Sequence, residues 1–170
     1  WRFSAVRELE IQEDIECGEL DEAVRILKES KELDSGYPGL VAQYSRQLIS
    51  IYETQADEKA YKEELQYYVF ECPQHDLVYI QKLKSVCTEQ EWEQYREQIL
   101  QSRNSCTILY PFMEAEGMYE RMLECVQKEP FIFNVDKYEN VLKKKFPEQM
   151  RDIYISYVHK QAERTGDRKR

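Results

Sequence analysis

The chain has 170 residues, 42% of them apolar and 34% charged, with a formal charge of −9. No apolar run approaches the roughly 20 residues that cross a bilayer, and this charge excludes a nucleic-acid surface spread over the whole chain, because phosphate contact needs clustered Lys and Arg. What remains is a water-soluble protein of amphipathic helices, long enough for one compact domain or one continuous array over 1–170.

Residues 3–17 read as a first helix with Val6, Leu9, Ile11 and Ile15 inward, stopped by Gly18. A second helix follows with Leu20, Ala23, Val24 and Leu27 on one face, and Asp34, Ser35 and Gly36 break it. The stretch from Tyr37 to Cys72 organises the rest. Pro38 takes the first helical position, Val41, Tyr44, Leu48 and Ile51 form one stripe, and beyond a polar break at Asp57 a second stripe runs through Tyr61, Leu65, Tyr68, Val69 and Cys72. Steps of three, four and seven put each set on one helix face, so the two faces must bury each other.

Beyond Pro73 a helix of about 76–87 turns Leu77, Ile80, Leu83 and Cys87 inward. Thr88-Glu89-Gln90-Glu91 matches a capping box, and Trp92, Tyr95 and Ile99 follow on one stripe. Asn104 and Ser105 open the next helix, with Cys106, Leu109, Phe112 and Met113 inward, a kink or late start at Pro111, and an end at Gly117. Tyr119, Met122, Leu123 and Val126 mark the eighth helix. Phe131, Ile132 and Phe133 then read as an apolar connector wedged between helices. Val135, Tyr138, Val141, Leu142 and Phe146 mark the ninth helix, and Pro147 starts the tenth, with Met150, Ile153, Tyr154, Tyr157, Val158 and Ala162 inward. Nothing reads as a strand. The thirteen tyrosines, at helical spacing, suit rings packed between helices with their hydroxyls at the wet edge.

Two self-similarities run through this series. G-E-L-D-E-A-V-R-I-L (Gly18–Leu27) aligns with G-M-Y-E-R-M-L-E-C-V (Gly117–Val126), and Tyr37-Pro38 with Val41, Tyr44, Leu48 and Ile49 aligns with Phe146-Pro147 and Met150, Ile153, Tyr157 and Val158. Short helix pairs recurring at roughly 35 to 45 residues are the signature of an α-solenoid. The expected fold is therefore all-α, a right-handed stack of about five antiparallel helix pairs. Starting at Trp1 rather than Met, and ending on what aligns with the start of another helix, the sequence reads as a fragment of a longer cytoplasmic protein.

The G-E-L-D-E-A-V-R-I-L and E-G-M-Y-E-R-M-L-E-C-V segments resemble the tetratricopeptide-like (TPR-like) superhelical group, although the group's full Trp-Leu-Gly-Tyr signature and fixed 34-residue period are absent. That resemblance implies a groove for a peptide or helix. In addition, P-E-Q-M-R-D-I-Y-I-S-Y-V-H-K-Q-A-E-R-T-G-D-R-K-R, A-Y-K-E-E-L and L-K-S-V-C-T-E-Q-E-W-E-Q-Y-R-E-Q-I-L are similar to the helical region that follows the zinc finger in bacterial SWIM-type proteins. That likeness implies a helical appendage to a zinc module lying outside this chain.

The residues offer little chemistry. Cys72-Pro73-Gln74-His75, with Cys87 a helix away, lacks the second close pair that tetrahedral zinc wants. The five cysteines include no C-x-x-C pair and suit reduced, partly buried thiols. His159 has no assignable nucleophile and no Gly-rich phosphate loop appears, so neither an enzyme nor a cofactor is expected. Two function classes remain. One is a non-catalytic interaction scaffold with a protein or peptide partner, whose contact residues, outside the main stripes, would be Tyr52, Tyr67, Phe70 and Tyr79. The other is a nucleic-acid-associated appendage contacting phosphate through Lys143, Lys144, Lys145 and Arg151.

Overall fold

The structure, a computed structural model, describes residues 3–73, 76–102, 106–128 and 132–166. Among these residues the backbone forms ten α-helices and no strand: α1 (Ser4–Cys17), α2 (Leu20–Leu33), α3 (Pro38–Gln55), α4 (Glu58–Glu71), α5 (Leu77–Ser85), α6 (Glu89–Ser102), α7 (Cys106–Ala115), α8 (Tyr119–Lys128), α9 (Ile132–Lys145) and α10 (Pro147–Gly166). The chain is all-α. The span read as one domain divides into two compact units, Trp1–Arg103 and Asn104–Arg170.

The helix ends follow from local chemistry. Gly18 and Gly117, the aligned glycines, both adopt left-handed φ (81° and 68°), which a residue without Cβ does at little cost. Each closes its helix the same way: the next N–H donates five residues back, Glu19 to Asp14 O and Met118 to Met113 O, both at 2.8 Å. Pro38 and Pro147 each begin a helix, and the residue before each accepts from the N–H four positions on, Val41 to Tyr37 O (3.1 Å) and Met150 to Phe146 O (3.0 Å). Asp57 caps α4 by accepting from Ala60 N–H at 3.0 Å. The capping box forms as expected: Glu91 Oε2 accepts from Thr88 N–H (2.8 Å), and Thr88 Oγ1 accepts from Glu91 N–H (3.3 Å). α7 starts at Cys106 and runs through Pro111, so the late start does not occur. Ile132 and Phe133 belong to α9 and form no connector.

In the first unit each helix from α1 to α4 packs on the next in sequence. A second set of contacts joins each helix to the next but one. Glu8 of α1 accepts from Gln43 and Gln47 of α3 (both 2.9 Å), Lys31 of α2 bridges to Glu64 of α4 (2.6 Å), Lys82 of α5 to Glu53 of α3 (2.6 Å), and Lys62 of α4 to Glu91 of α6 (2.7 Å). The core beneath these bridges holds Ile11, Ile26, Leu27, Tyr44, Leu48 and Leu65, each with no exposed surface. Truncating one such Leu or Ile to Ala costs about 2–5 kcal/mol, so these positions fix the stacking while the bridges set register.

In the second unit α7 packs on α8, α8 on α9 and α9 on α10. Phe112, Met113, Met122, Val126, Leu142 and Met150 are buried, and the Tyr110 ring stacks on Tyr138 at 5.3 Å. The echo of α3 in α10 holds at its start and fails further on. Met150 and Ile153 are buried like Val41 and Tyr44, but Val158 is 63% exposed where Ile49 is buried, and Ala162 is exposed as well. α3 is covered by α2 and α4, whereas α10 packs substantially on α9 alone among the described residues. α10 is also six residues longer than α9, an overhang of about 9 Å at 1.5 Å per residue.

The inward face of α1 also departs from expectation. Val6 and Leu9 are exposed, at 47% and 73%, and Arg7 is buried beside Ile11. Arg7 Nε donates to Ser30 Oγ at 2.9 Å and its Nη2 pairs with Asp34 Oδ2, which also accepts from Tyr44 OH at 2.8 Å. Burial works against the Arg7 charge, but the carboxylate and the phenol offset it and leave its pKa raised. A side chain satisfied this fully outcompetes two aliphatics for the interior, because an unpaired guanidinium there costs far more than an exposed Val.

Candidate interaction surface

The four aromatics expected at a contact surface do not form one. Tyr52 is buried, 5% exposed, because both sides of α3 are covered; its ring offers no docking surface. Phe70 is half-buried against Tyr95 (ring centroids 5.5 Å apart), and Tyr79 is half-buried against Tyr68 (4.4 Å). Only Tyr67 of the four is open, at 37%, with Lys31 Nζ over its ring at 3.6 Å.

Around Tyr67 lies a polar cluster that joins α2, α3 and α4. Lys31 Nζ donates to Glu64 Oε1 at 2.6 Å, the buried Ser45 hydroxyl donates to the same oxygen, and Lys31 also makes its cation–π contact with Tyr67. From the position before Tyr67, Gln66 Nε2 donates to Tyr95 OH at 2.5 Å. These groups satisfy one another across helices, the arrangement of a clamp rather than of a reactive centre. Cys72 beside them is buried, and desolvation pushes its thiol up, toward the unreactive protonated form. Burial does the same to Cys87. Gln74 and His75 lie outside the described residues, and among the described residues no group of three His, Cys, Asp or Glu could hold a metal ion. His159 is exposed.

The four basic residues are exposed, and the structure brings two of them together. Lys143 and Arg151 line one cleft of about 440 Å³ between α9 and α10, with Glu139, Met150, Tyr154 and Ile155. Lys143 also pairs with Glu139 (3.4 Å), Arg151 with Asp152 (3.2 Å), and Lys145 Nζ lies 4.3 Å from the Tyr119 ring centroid. Residues 104–170 carry 12 Lys and Arg against 11 Asp and Glu, whereas residues 1–103 carry 12 against 22. The net negative charge of the chain is therefore chiefly acidity of the first unit.

A surface that helical periodicity does not reveal lies on α1. Phe3, Val6 and Leu9 are exposed at 73%, 47% and 73%. Glu13 and Glu16 are exposed too, and at helical spacing they share this side of α1, whereas Glu10 is half-buried at its edge and helps hold the charge of Arg25 on α2. Neither Glu13 nor Glu16 enters a salt bridge among the described residues; Glu16 accepts from Gln12 at 2.9 Å. Like charges at this spacing cost about 0.2–0.5 kcal/mol per pair. α1 has no basic residue in its last turn, so Asp14 and Glu16 meet the negative end of the helix dipole uncompensated. The sequence signal was Arg7, the one cation of α1, standing between two residues that were read as inward.

No helix of the described residues is long and apolar enough to cross a membrane. No known family model, curated protein or solved structure matches the chain.

Proposed function

We propose that this chain is a non-catalytic interaction scaffold, an α-solenoid of TPR-like helix pairs whose surface holds a protein or peptide partner. The observation that carries this reading is the second-neighbour ladder of the first unit. Bridges from α2 to α4, α3 to α5 and α4 to α6 join residues 33, 29 and 29 positions apart, the spacing expected when each helix pair stacks on the next. The like closure of the aligned segments at Gly18 and Gly117, and at Pro38 and Pro147, supports the same unit being used twice.

The test is reconstitution. A partner that co-purifies with the chain is produced separately and titrated against it by calorimetry. The reading expects a saturable complex of defined stoichiometry that survives at about 0.5 M salt, where screening removes most long-range attraction. A chain that binds no protein in this way, or whose only complexes vanish with salt, contradicts it.

The second reading is an appendage that contacts nucleic acid, and the observation favouring it is the convergence of Lys143 and Arg151 on one cleft with Lys144 exposed nearby. It expects binding to duplex DNA whose salt slope falls by about one per lysine removed. The internal pairing of Lys143 and Arg151 weighs against it.

A further inference from the structure

Resting on the scaffold reading, we infer that the outward face of α1 is a docking surface for a cationic amphipathic helix of another protein. The face joins two features that select the same occupant. Phe3, Val6 and Leu9 present an apolar strip at helical spacing that no element of the described residues covers. Glu13 and Glu16 run along the strip, exposed and with no ion pair among the described residues. The strip calls for a partner with apolar side chains at steps of three and four, and the glutamates call for Lys or Arg flanking them at the same steps.

Other occupants fit poorly. Anionic lipid surfaces and nucleic acid are repelled by the two carboxylates, and a neutral apolar helix would bury them unpaired at high cost. The one cation of α1, Arg7, is turned inward to Ser30 and Asp34 and cannot neutralise the face from behind. A cationic helix supplies the missing charge, including near the C-terminal end of α1, where acidic residues stand against the helix dipole.

The experiment titrates the full chain into a fluorescent Leu/Lys peptide of helical period, a scrambled peptide of equal charge, and a Leu/Glu twin. The periodic cationic peptide should bind at 1:1, at least about tenfold tighter than the scrambled one, with no measurable binding of the twin. The variant V6N/L9N and the variant E13K/E16K should each weaken binding by about tenfold or more, while reversal of the distant exposed carboxylates Glu58 and Glu63 changes it less than about twofold. Circular dichroism checks that every variant stays folded. Equal binding of the scrambled peptide, or equal sensitivity to the distant reversals, overturns the proposal, because only net charge is then acting. Self-association of the chain, or binding to phosphatidylserine vesicles, that V6N/L9N abolishes overturns it in favour of those occupants. If a reconstituted partner binds V6N/L9N as well as the unaltered chain, this face falls while the scaffold reading stands.

Discussion

Replacing Arg7 with Met keeps the aliphatic bulk and removes every donor that the side chain offers. Ser30 Oγ, with no exposed surface, loses its 2.9 Å partner, and Asp34 loses its ion pair while keeping the 2.8 Å contact from Tyr44 OH. Removing one member of a buried pair costs about 3–5 kcal/mol. The Asp34 side chain retains 14% exposure and its phenol partner, which places Arg7→Met near the low end, about 3 kcal/mol. Because Arg7 ties α1 to α2 and α3, the loss should first appear as local opening of α1. Its amide hydrogens should exchange about 10²-fold faster, the factor that corresponds to about 3 kcal/mol. Adding Asp34→Asn should recover about 1–2 kcal/mol by neutralising the orphaned carboxylate. Val6→Asn and Leu9→Asn, on the exposed side, should each change stability by less than about 0.5 kcal/mol. If Arg7→Met costs under about 1 kcal/mol while Leu9→Asn costs more than 2 kcal/mol, then α1 buries the face that periodicity suggested and the packing described here is wrong.

Three further outcomes follow from local geometry. Ala56 is the one non-Gly residue of positive φ (55°) among those described; Ala56→Gly should raise the urea midpoint by the equivalent of about 0.5–1 kcal/mol, and a loss would show that the turn is not left-handed. Lys62, then the Thr88 N–H and hydroxyl, lower the Glu91 pKa from the ordinary 4.5 to about 2. Its contribution is therefore fully present above pH 4.5 and lost as pH falls toward 2, so the Tm gap between the unaltered chain and Glu91→Gln should close across that window; a gap constant with pH contradicts the bridge. Pro111 stands inside α7 with no N–H to donate, and Pro111→Ala should stabilise the second unit by about 1–3 kcal/mol in thermal unfolding unless the ring itself fills the core.

Much of the fold was legible because helix ends depend on few neighbours. Gly18, Pro38, Asp57, the Thr88–Glu91 box and Gly117 each act within five residues, and each does in space what its residue type predicts. The long stripes, such as Tyr44–Leu48 on α3 and Leu65–Tyr68 on α4, were equally plain, since apolar residues at steps of three and four mark a side that must be buried. Where the answer depended on a distant residue, the sequence fell short. Arg7 turns inward only because Ser30 and Asp34, 23 and 27 positions away, meet it there. Tyr52 is buried because α3 is covered on both sides, and Val158 is exposed because α10 packs substantially on α9 alone among the described residues; neither fact exists within its own helix. The site residues fared as their packing dictates: of the aromatics only Tyr67 stayed open, and of the cations Lys143 and Arg151 converged.

The second-neighbour ladder can be read directly by zero-length carbodiimide crosslinking of the intact chain, which joins amines only to carboxylates already in contact. The account predicts the isopeptide pairs Lys31–Glu64, Lys62–Glu91 and Lys82–Glu53, bridging α2 to α4, α4 to α6 and α3 to α5. A digest in which lysines join only carboxylates of their own helix, such as Lys59 to Glu63, would contradict the stacked arrangement and the scaffold built on it.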